Sequence, residues 1–454
     1  MILFPMKRLL TIITFLAFAS CAAEGSACSA DLKGSCTVSE VIAYALSHNP
    51  RIASAKKDTE LGAYGIDAAK AERLPKINLG GGMTRYDLPT PVSPITGSPL
   101  AGVAFPEFDR VIYDIGASFT IPMYRGGRLD RGVEIAGLRK TIAEDMLRAY
   151  SQELVFNLTS VCFKILQLEK LLAANDETVR QLEAHKKNVE LFLQAGTAPR
   201  LDLLKTETEL AHARQSVILV KNGLDSAYDL LKTLMGTDDL SVSFSLVPEN
   251  FPELSGINEK KSLETAFSKR PDYAGLLRRK KAAEEMLQVA EGARLPSVNL
   301  QGEYTDRSGS SVYFRPNWYL SLRFLFPVFD GGSIRTEIGR MKTEAGKVRD
   351  EERELRSRIT REVRDALREI GNARERVAVT EAALVSATEN VRVERLKYDA
   401  GSGTSTEVID AEAALLRAET DHQQALYDRH IAGALLQKAI GEDTHENIYT
   451  GALP

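Results

Sequence analysis

The chain has 454 residues, with 58 Lys and Arg against 62 Asp and Glu and a formal net charge of −4. So even a balance excludes a general affinity for nucleic acid, and 44% apolar with 26% charged residues is the make-up of a folded chain, not a disordered one. Length alone suggests about three domains, but internal repetition overrides that count.

The first twenty-one residues stand apart. Lys7 and Arg8 precede an apolar run over residues 9–19, too short for a membrane helix and shaped like a secretory signal peptide. Phe18-Ala19-Ser20-Cys21 closes it, with Phe18 where a lipoprotein signal usually has Leu. Two readings stand, lipidation of Cys21 or ordinary cleavage a few residues later. Export carries the other cysteines into an oxidising space. Cys28 and Cys36 are near enough in sequence to close a small loop, and Cys162 falls mid-helix as a small apolar packing residue. No later apolar run reaches eighteen residues, which excludes a membrane helix but not a membrane barrel.

A first unit covers residues 37–236. Thr37 and Glu40 form a capping box before a short helix, and Pro50 opens a second helix that ends near Arg73. Strands follow over residues 76–87, glycine-rich and weak, and 111–121. In the latter, Val111, Tyr113, Ile115, Ala117, Phe119 and Ile121 alternate with smaller or polar residues, the period of a half-buried or tilted membrane strand. Pro122 ends the strand, and Gly126-Gly127 permits a sharp exit. A helix over residues 128–195, without a proline, would span roughly 100 Å. Its apolar stripe demands a coiled-coil partner, supplied after the tip by a return helix over residues 202–235. Residues 237–260 join the units.

The second unit, residues 261–441, repeats this plan. Arg73-Leu74-Pro75 recurs as Arg294-Leu295-Pro296, about 221 positions on. Pro122, Gly126-Gly127, Gly196 and Gly236 recur as Pro327, Gly331-Gly332, Gly401 and Gly441, about 205 positions on. The drop in offset places an insertion of about 16 residues in the first unit, in the Pro-rich run 88–108. Strands are expected at 297–306 and 317–327, a long helix at 333–400, a return helix at 407–440 and a tail at 442–454.

Four strands cannot close a membrane barrel, because open edges are not tolerated in lipid and about eight strands are needed. The barrel must be shared between chains, eight strands from two or twelve from three. The duplicated hairpins would stand beside one another as a helical cylinder. Physics alone therefore gives an exported oligomeric conduit, mostly α within an α+β class. No catalytic reading arises: there is no P-loop, nucleophile elbow or dinucleotide fingerprint, and the six histidines show no HExxH pair. No enzyme activity, cofactor or metal is expected.

These features together resemble the outer-membrane efflux protein family, the TolC-like channels, over roughly residues 38–441. The resemblance rests on the Arg-Leu-Pro pair, on Ile121-Pro122-Met123-Tyr124-Arg125-Gly126-Gly127 with Phe326-Pro327-Val328-Phe329-Asp330-Gly331-Gly332, and on Tyr398-Asp399-Ala400-Gly401 before Glu407-Val408-Ile409-Asp410-Ala411. It implies a homotrimer with a twelve-stranded barrel in outer-membrane lipid, an α-helical barrel across the periplasm and an equatorial domain. It further implies a periplasmic adaptor and an inner-membrane RND or ABC pump, in efflux or type I secretion. Residues 237–260 and the chain ends would build the equator. Glu407 and Asp410, one turn apart, match the acidic ring of the family's pore constriction, and Asp202 joins them from the first tip. Gly196, Thr197, Gly401, Gly403 and Thr404 are the expected adaptor-contact tips. The bland readings are that acidic residues simply suit a helix start and that the tips are plain turn chemistry. Lys205 stands where the second unit has Asp410, so the ring would come mainly from the second unit. Pro122, Gly126, Gly127, Pro327, Gly331 and Gly332 are read as strand–helix junctions. The 88–108 loop is expected outside the cell, where such loops are longer. The competing readings are a periplasmic coiled-coil adaptor, which needs one hairpin and not two, and a structural envelope protein, which has no use for amphipathic strands.

Overall fold

The computed structural model describes residues 34–94, 96–98, 102–104, 106–237, 244–248, 258–311 and 313–442. The signal segment, Cys21, Cys28, most of 237–260 and nearly all of the tail lie outside them. In chain order the elements are β1 (Gly34–Thr37), α1 (Val38–His48), α2 (Pro50–Ala71), β2 (Lys76–Pro91), β3 (Thr96–Ser98), β4 (Gly102–Ala104), β5 (Phe108–Arg125), α3 (Arg128–Gln194) and α4 (Arg200–Met235). Then come β6 (Phe244–Val247), α5 (Glu259–Lys269), α6 (Pro271–Gly292), β7 (Ser297–Ser308), β8 (Arg315–Leu325), α7 (Ser333–Asp399) and α8 (Ser405–Ile440).

The duplication is numerical. α1 and α5 have 11 residues each, α2 and α6 have 22, α3 and α7 have 67, and α4 and α8 have 36. A 36-residue and a 22-residue helix laid end to end nearly cover a helix of 67, and each unit uses them so. The C-terminus of α4 abuts the N-terminus of α2, and both pack along α3. Asn49 fastens the joint: its Oδ1 accepts from the N–H groups of Arg51 (2.8 Å) and Ile52 (3.2 Å), and its Nδ2 donates to the Leu234 carbonyl at 2.7 Å. Both helix ends thus find partners for groups a terminus leaves unbonded. The α8–α6 joint uses Arg270, whose guanidinium donates to the Ala439 carbonyl (3.1 Å) and pairs with Asp272 and Glu362. Gly236 and Gly441 end α4 and α8 at φ +76° and +73°, and a side chain at either would strike the incoming chain at 2.8 Å. Glycine is required at both.

The main core surrounds the first joint. Val38, Val41 and Ile42 of α1, Leu158, Cys162 and Ile165 of α3, Leu231 and Met235 of α4, and Phe244 and Leu246 of β6 are buried together. Each large apolar side chain there contributes about 1.5–3 kcal/mol. Burial pushes the Cys162 thiol up to about 12, so it stays an unreactive packing residue. β1 and β6 pair in parallel beside this core, a contact between the chain start and the inter-unit segment.

The four long strands form one antiparallel sheet in the order β2-β5-β7-β8. The 88–108 insertion holds the short β3–β4 hairpin between β2 and β5. One expectation fails locally. Pro122 does not end its strand, since β5 runs on to Arg125. A register shift between Pro122 and Tyr124 skips a residue and resumes the ladder with β7 at Tyr124↔Val298. A bulge accommodates a residue without an N–H at that point. Pro327 does follow the end of β8.

Candidate functional site: the helix tips and the sheet

The far end of the helices carries two turns. In the first, Gly196 (φ +76°) closes α3, and both the N–H (2.9 Å) and Oγ1 (3.0 Å) of Thr197 donate to the Phe192 carbonyl. In the second, Gly401 (φ +70°) follows α7, and Ser402 and Gly403 donate to the Lys397 carbonyl at 2.9 and 3.1 Å. Thr404 then caps α8 in a full capping box. Its Oγ1 accepts from the Glu407 N–H at 3.3 Å, and its own N–H donates to Glu407 Oε2 at 2.7 Å.

Glu407 is therefore engaged in its own helix start. The Thr404 N–H and hydroxyl hold its carboxyl below the usual range. Asp410 is exposed one turn on. A cleft of about 650 Å³ between the turns is lined by Thr197, Asp202, Gly401, Gly403 and Thr404 among others. Gly196, Glu407 and Asp410 are not in its lining. Lys205 also faces this cleft and donates to Thr406 Oγ1 at 3.1 Å, tying α4 to α8.

Behind the tips lies a buried network that sequence reasoning missed. His185 Nε2 sits 2.8 Å from Ser405 Oγ, the Thr206 hydroxyl lies 3.5 Å from that same Ser405 Oγ, and the His185 ring lies 5.0 Å from that of Tyr398. Burial, then the Arg395 charge, lowers the basicity of His185, which favours its neutral form. One turn further on, Arg395 of α7 pairs with Glu412 of α8 at 2.7 Å and donates to Gln181 of α3 at 2.9 Å. The Glu412 side chain is 2% exposed, and burial pushes its carboxyl up against the pull of Arg395. No local signal marks these residues, because each pair joins different helices.

At the other end, the junction glycines act differently from one another. Gly126 (φ +63°) is pressed on the chain before β7: a Cβ there would lie 2.3 Å from the Gly292 carbonyl oxygen. Gly127, Gly331 and Gly332 have positive φ but open space around them, so backbone conformation alone requires glycine. Arg73, from the repeated Arg-Leu-Pro motif, pairs with Asp130 at the start of α3.

Register sorts the sheet into two faces. One carries Ile77, Phe119 and Leu320 in one row, Leu79, Ala117, Tyr304 and Trp318 in the next, and Ile121, Leu300 and Leu322 in a third. Leu79 is 84% exposed and Trp318 72%, an apolar surface that water does not tolerate uncovered. The opposite face carries Asn78, Ser118, Thr120, Gln301, Glu303 and Ser321. Among the described residues β2 and β8 are the free edges of this sheet. Among the described residues no helix is long and apolar enough to cross a membrane.

Comparison with known proteins gives a consistent picture. The chain is 22% identical over 400 residues to outer membrane protein OprJ of Pseudomonas aeruginosa, covering 85% of this chain and 81% of that one. It is 26% identical over 413 residues to the toluene efflux pump outer membrane protein TtgF of Pseudomonas putida, covering 86% and 79%. Its fold superposes on the Campylobacter jejuni CmeC outer membrane channel with a TM-score of 0.79 at 19% identity, covering 91% and 88%. Residues 41–237 and 263–442, the two units themselves, match the family described as outer membrane efflux protein, and the chain belongs to that family.

Proposed function

We propose that three copies of this chain form an outer-membrane exit duct, which passes solutes or polypeptides delivered by a periplasmic adaptor and an inner-membrane RND or ABC pump. The observation that carries the reading is the four-stranded sheet with one apolar face, one polar face and two free edges. Such a sheet is stable in lipid only when copies close it edge to edge. Three copies supply twelve strands, apolar outward and polar inward. The twin hairpins then continue the tube into the periplasm. The turns that carry Gly196, Thr197, Gly401, Gly403 and Thr404 are the adaptor contact in this scheme, and Glu407 and Asp410, with Asp202 from the first tip, narrow the pore. The chain itself does no chemistry, and energy comes from the pump.

The test is the native mass of protein extracted in detergent from purified outer membranes, by light scattering. A mass near three chains, with resistance to carbonate extraction, is the expected result. A folded monomer, or release by carbonate, would leave four strands with open edges and sink the duct reading.

A further inference from the structure

The polar face of the sheet is not evenly charged. Five of its rows, in register, are Asn299 with Arg323; Lys76, Thr120, Gln301 and Ser321; Asn78, Ser118, Glu303 and Tyr319; Gly80, Gly116, Thr305 and Asn317; and Gly82, Asp114, Arg307 and Arg315. These rows hold four cations and two carboxylates; with Lys76 offset by Glu72 from outside them, the surplus is one positive charge per copy and three around a three-chain barrel. The carboxylates are partly occupied: Glu303 accepts from Thr305 Oγ1 at 2.7 Å and from Tyr319 OH at 2.9 Å. Lys76 is neutralised by Glu72 at 2.7 Å. Arg307 stands opposite Asp114 in the register, but neither it nor Arg315 nor Arg323 has a carboxylate within 4.0 Å among the described residues. Closure does not supply one. The strand that meets β8 in a shared barrel is β2 of the next copy, whose inward positions Lys76, Asn78, Gly80, Gly82 and Thr84 are all free of acidic groups.

Resting on the duct reading above, we infer that the barrel is an anion-favouring collar, and that the solutes this duct passes most readily at its outer end are anionic organic molecules. Unpaired guanidiniums on a wall backed by low-dielectric lipid raise the local concentration of anions and offer planar forks that match carboxylate and phosphate groups. The acidic Glu407 and Asp410 lie at the opposite end of the tube, so the conduit has two filters of opposite sign in series.

The experiment is a reversal-potential measurement in planar bilayers under a KCl gradient centred on 50 mM. It uses the unsubstituted protein and the tip variant Glu407→Gln/Asp410→Asn, which removes the opposing filter. Two derivatives of the tip variant follow: one carries Arg307→Ser/Arg315→Ser/Arg323→Ser, and the other places Lys at the same three positions. The tip variant is expected to prefer chloride over potassium roughly threefold. The Ser derivative should lose that preference and the Lys derivative keep it. Raising salt to 1 M shrinks the screening length to about 3 Å and should abolish the preference in the tip variant alone, a reading independent of whether the triple variants fold. A tip variant that is unselective or cation-preferring at low salt, or a Ser derivative as anion-selective as its parent, overturns the inference and leaves the duct intact. Absence of channels from the unsubstituted protein overturns the duct reading, and the collar with it.

Discussion

Arg395→Ala should loosen the second tip without touching its surface. Arg395 places two hydrogen bonds on Glu412 Oε1, at 3.2 Å from Nε and 2.7 Å from Nη2. The Glu412 side chain is 2% exposed and that of Arg395 42% exposed. Removing the cation strands a buried carboxylate, a change that costs about 3–5 kcal/mol when both partners are buried. Water already screens the exposed half of this pair, so about 2–3 kcal/mol is expected. Glu412→Gln removes the charge while keeping an acceptor for Arg395 and should cost less than about 1 kcal/mol. The assay is amide hydrogen exchange in the first turns of α8, corrected for intrinsic rates. A loss of 2–3 kcal/mol accelerates exchange roughly 30- to 150-fold at about 1.4 kcal/mol per decade. The pH dependence has a definite sign. Without Arg395, burial alone acts on Glu412 and raises its folded-state carboxyl further above the unfolded value. The folded state then binds the extra proton, so stability falls as pH rises through that range. The Arg395→Ala defect should be larger at pH 8 than at pH 5. Exchange within threefold of the unsubstituted protein at pH 8, a Glu412→Gln defect as large as that of Arg395→Ala, or no narrowing at pH 5 would refute the reasoning.

Glu407→Ala/Asp410→Ala should weaken divalent-cation block in bilayer recordings, and unchanged block would remove these residues from the constriction. Gly126→Ala should cut the yield of assembled protein in the outer membrane sharply, because its Cβ would collide with the Gly292 carbonyl. Gly127→Ala meets open space and should cost only the left-handed backbone penalty of about 1–2 kcal/mol; equal losses of yield would contradict the geometry. Asn49→Ala removes three hydrogen bonds at the α4–α2 joint and should destabilise it by about 2 kcal/mol. Asn49→Asp keeps the acceptor and should recover about half, read again by exchange at this joint; full recovery would show that the Leu234 contact contributes nothing.

The fold class was legible because its causes are local or strictly periodic. Alternation in 111–121 marks a two-faced strand, proline-free apolar stripes mark paired helices, and the Pro and Gly punctuation repeats at one offset before the insertion and another after it. The bulge at Pro122 was not legible, since proline reads as a stop unless the partner strand is known to skip a residue. At the tips, the turn glycines, Thr404 and Glu407 could be named because a cap is written within four residues. His185 bears no local motif, yet it bonds Ser405 across 220 positions, and Gln181 meets Arg395 across 214. The end-to-end helix joints were likewise hidden, because Asn49 bonds Leu234 across 185 positions and Arg270 bonds Ala439 across 169. By itself, then, the sequence determined two copies of a hairpin on amphipathic strands that cannot close alone. The tertiary structure decided which helices stack into a second long rod, which buried polar groups weld the hairpins, and which side of the sheet holds unpaired arginines. Those depend on docking and strand register, set by side chains hundreds of residues apart packing at once.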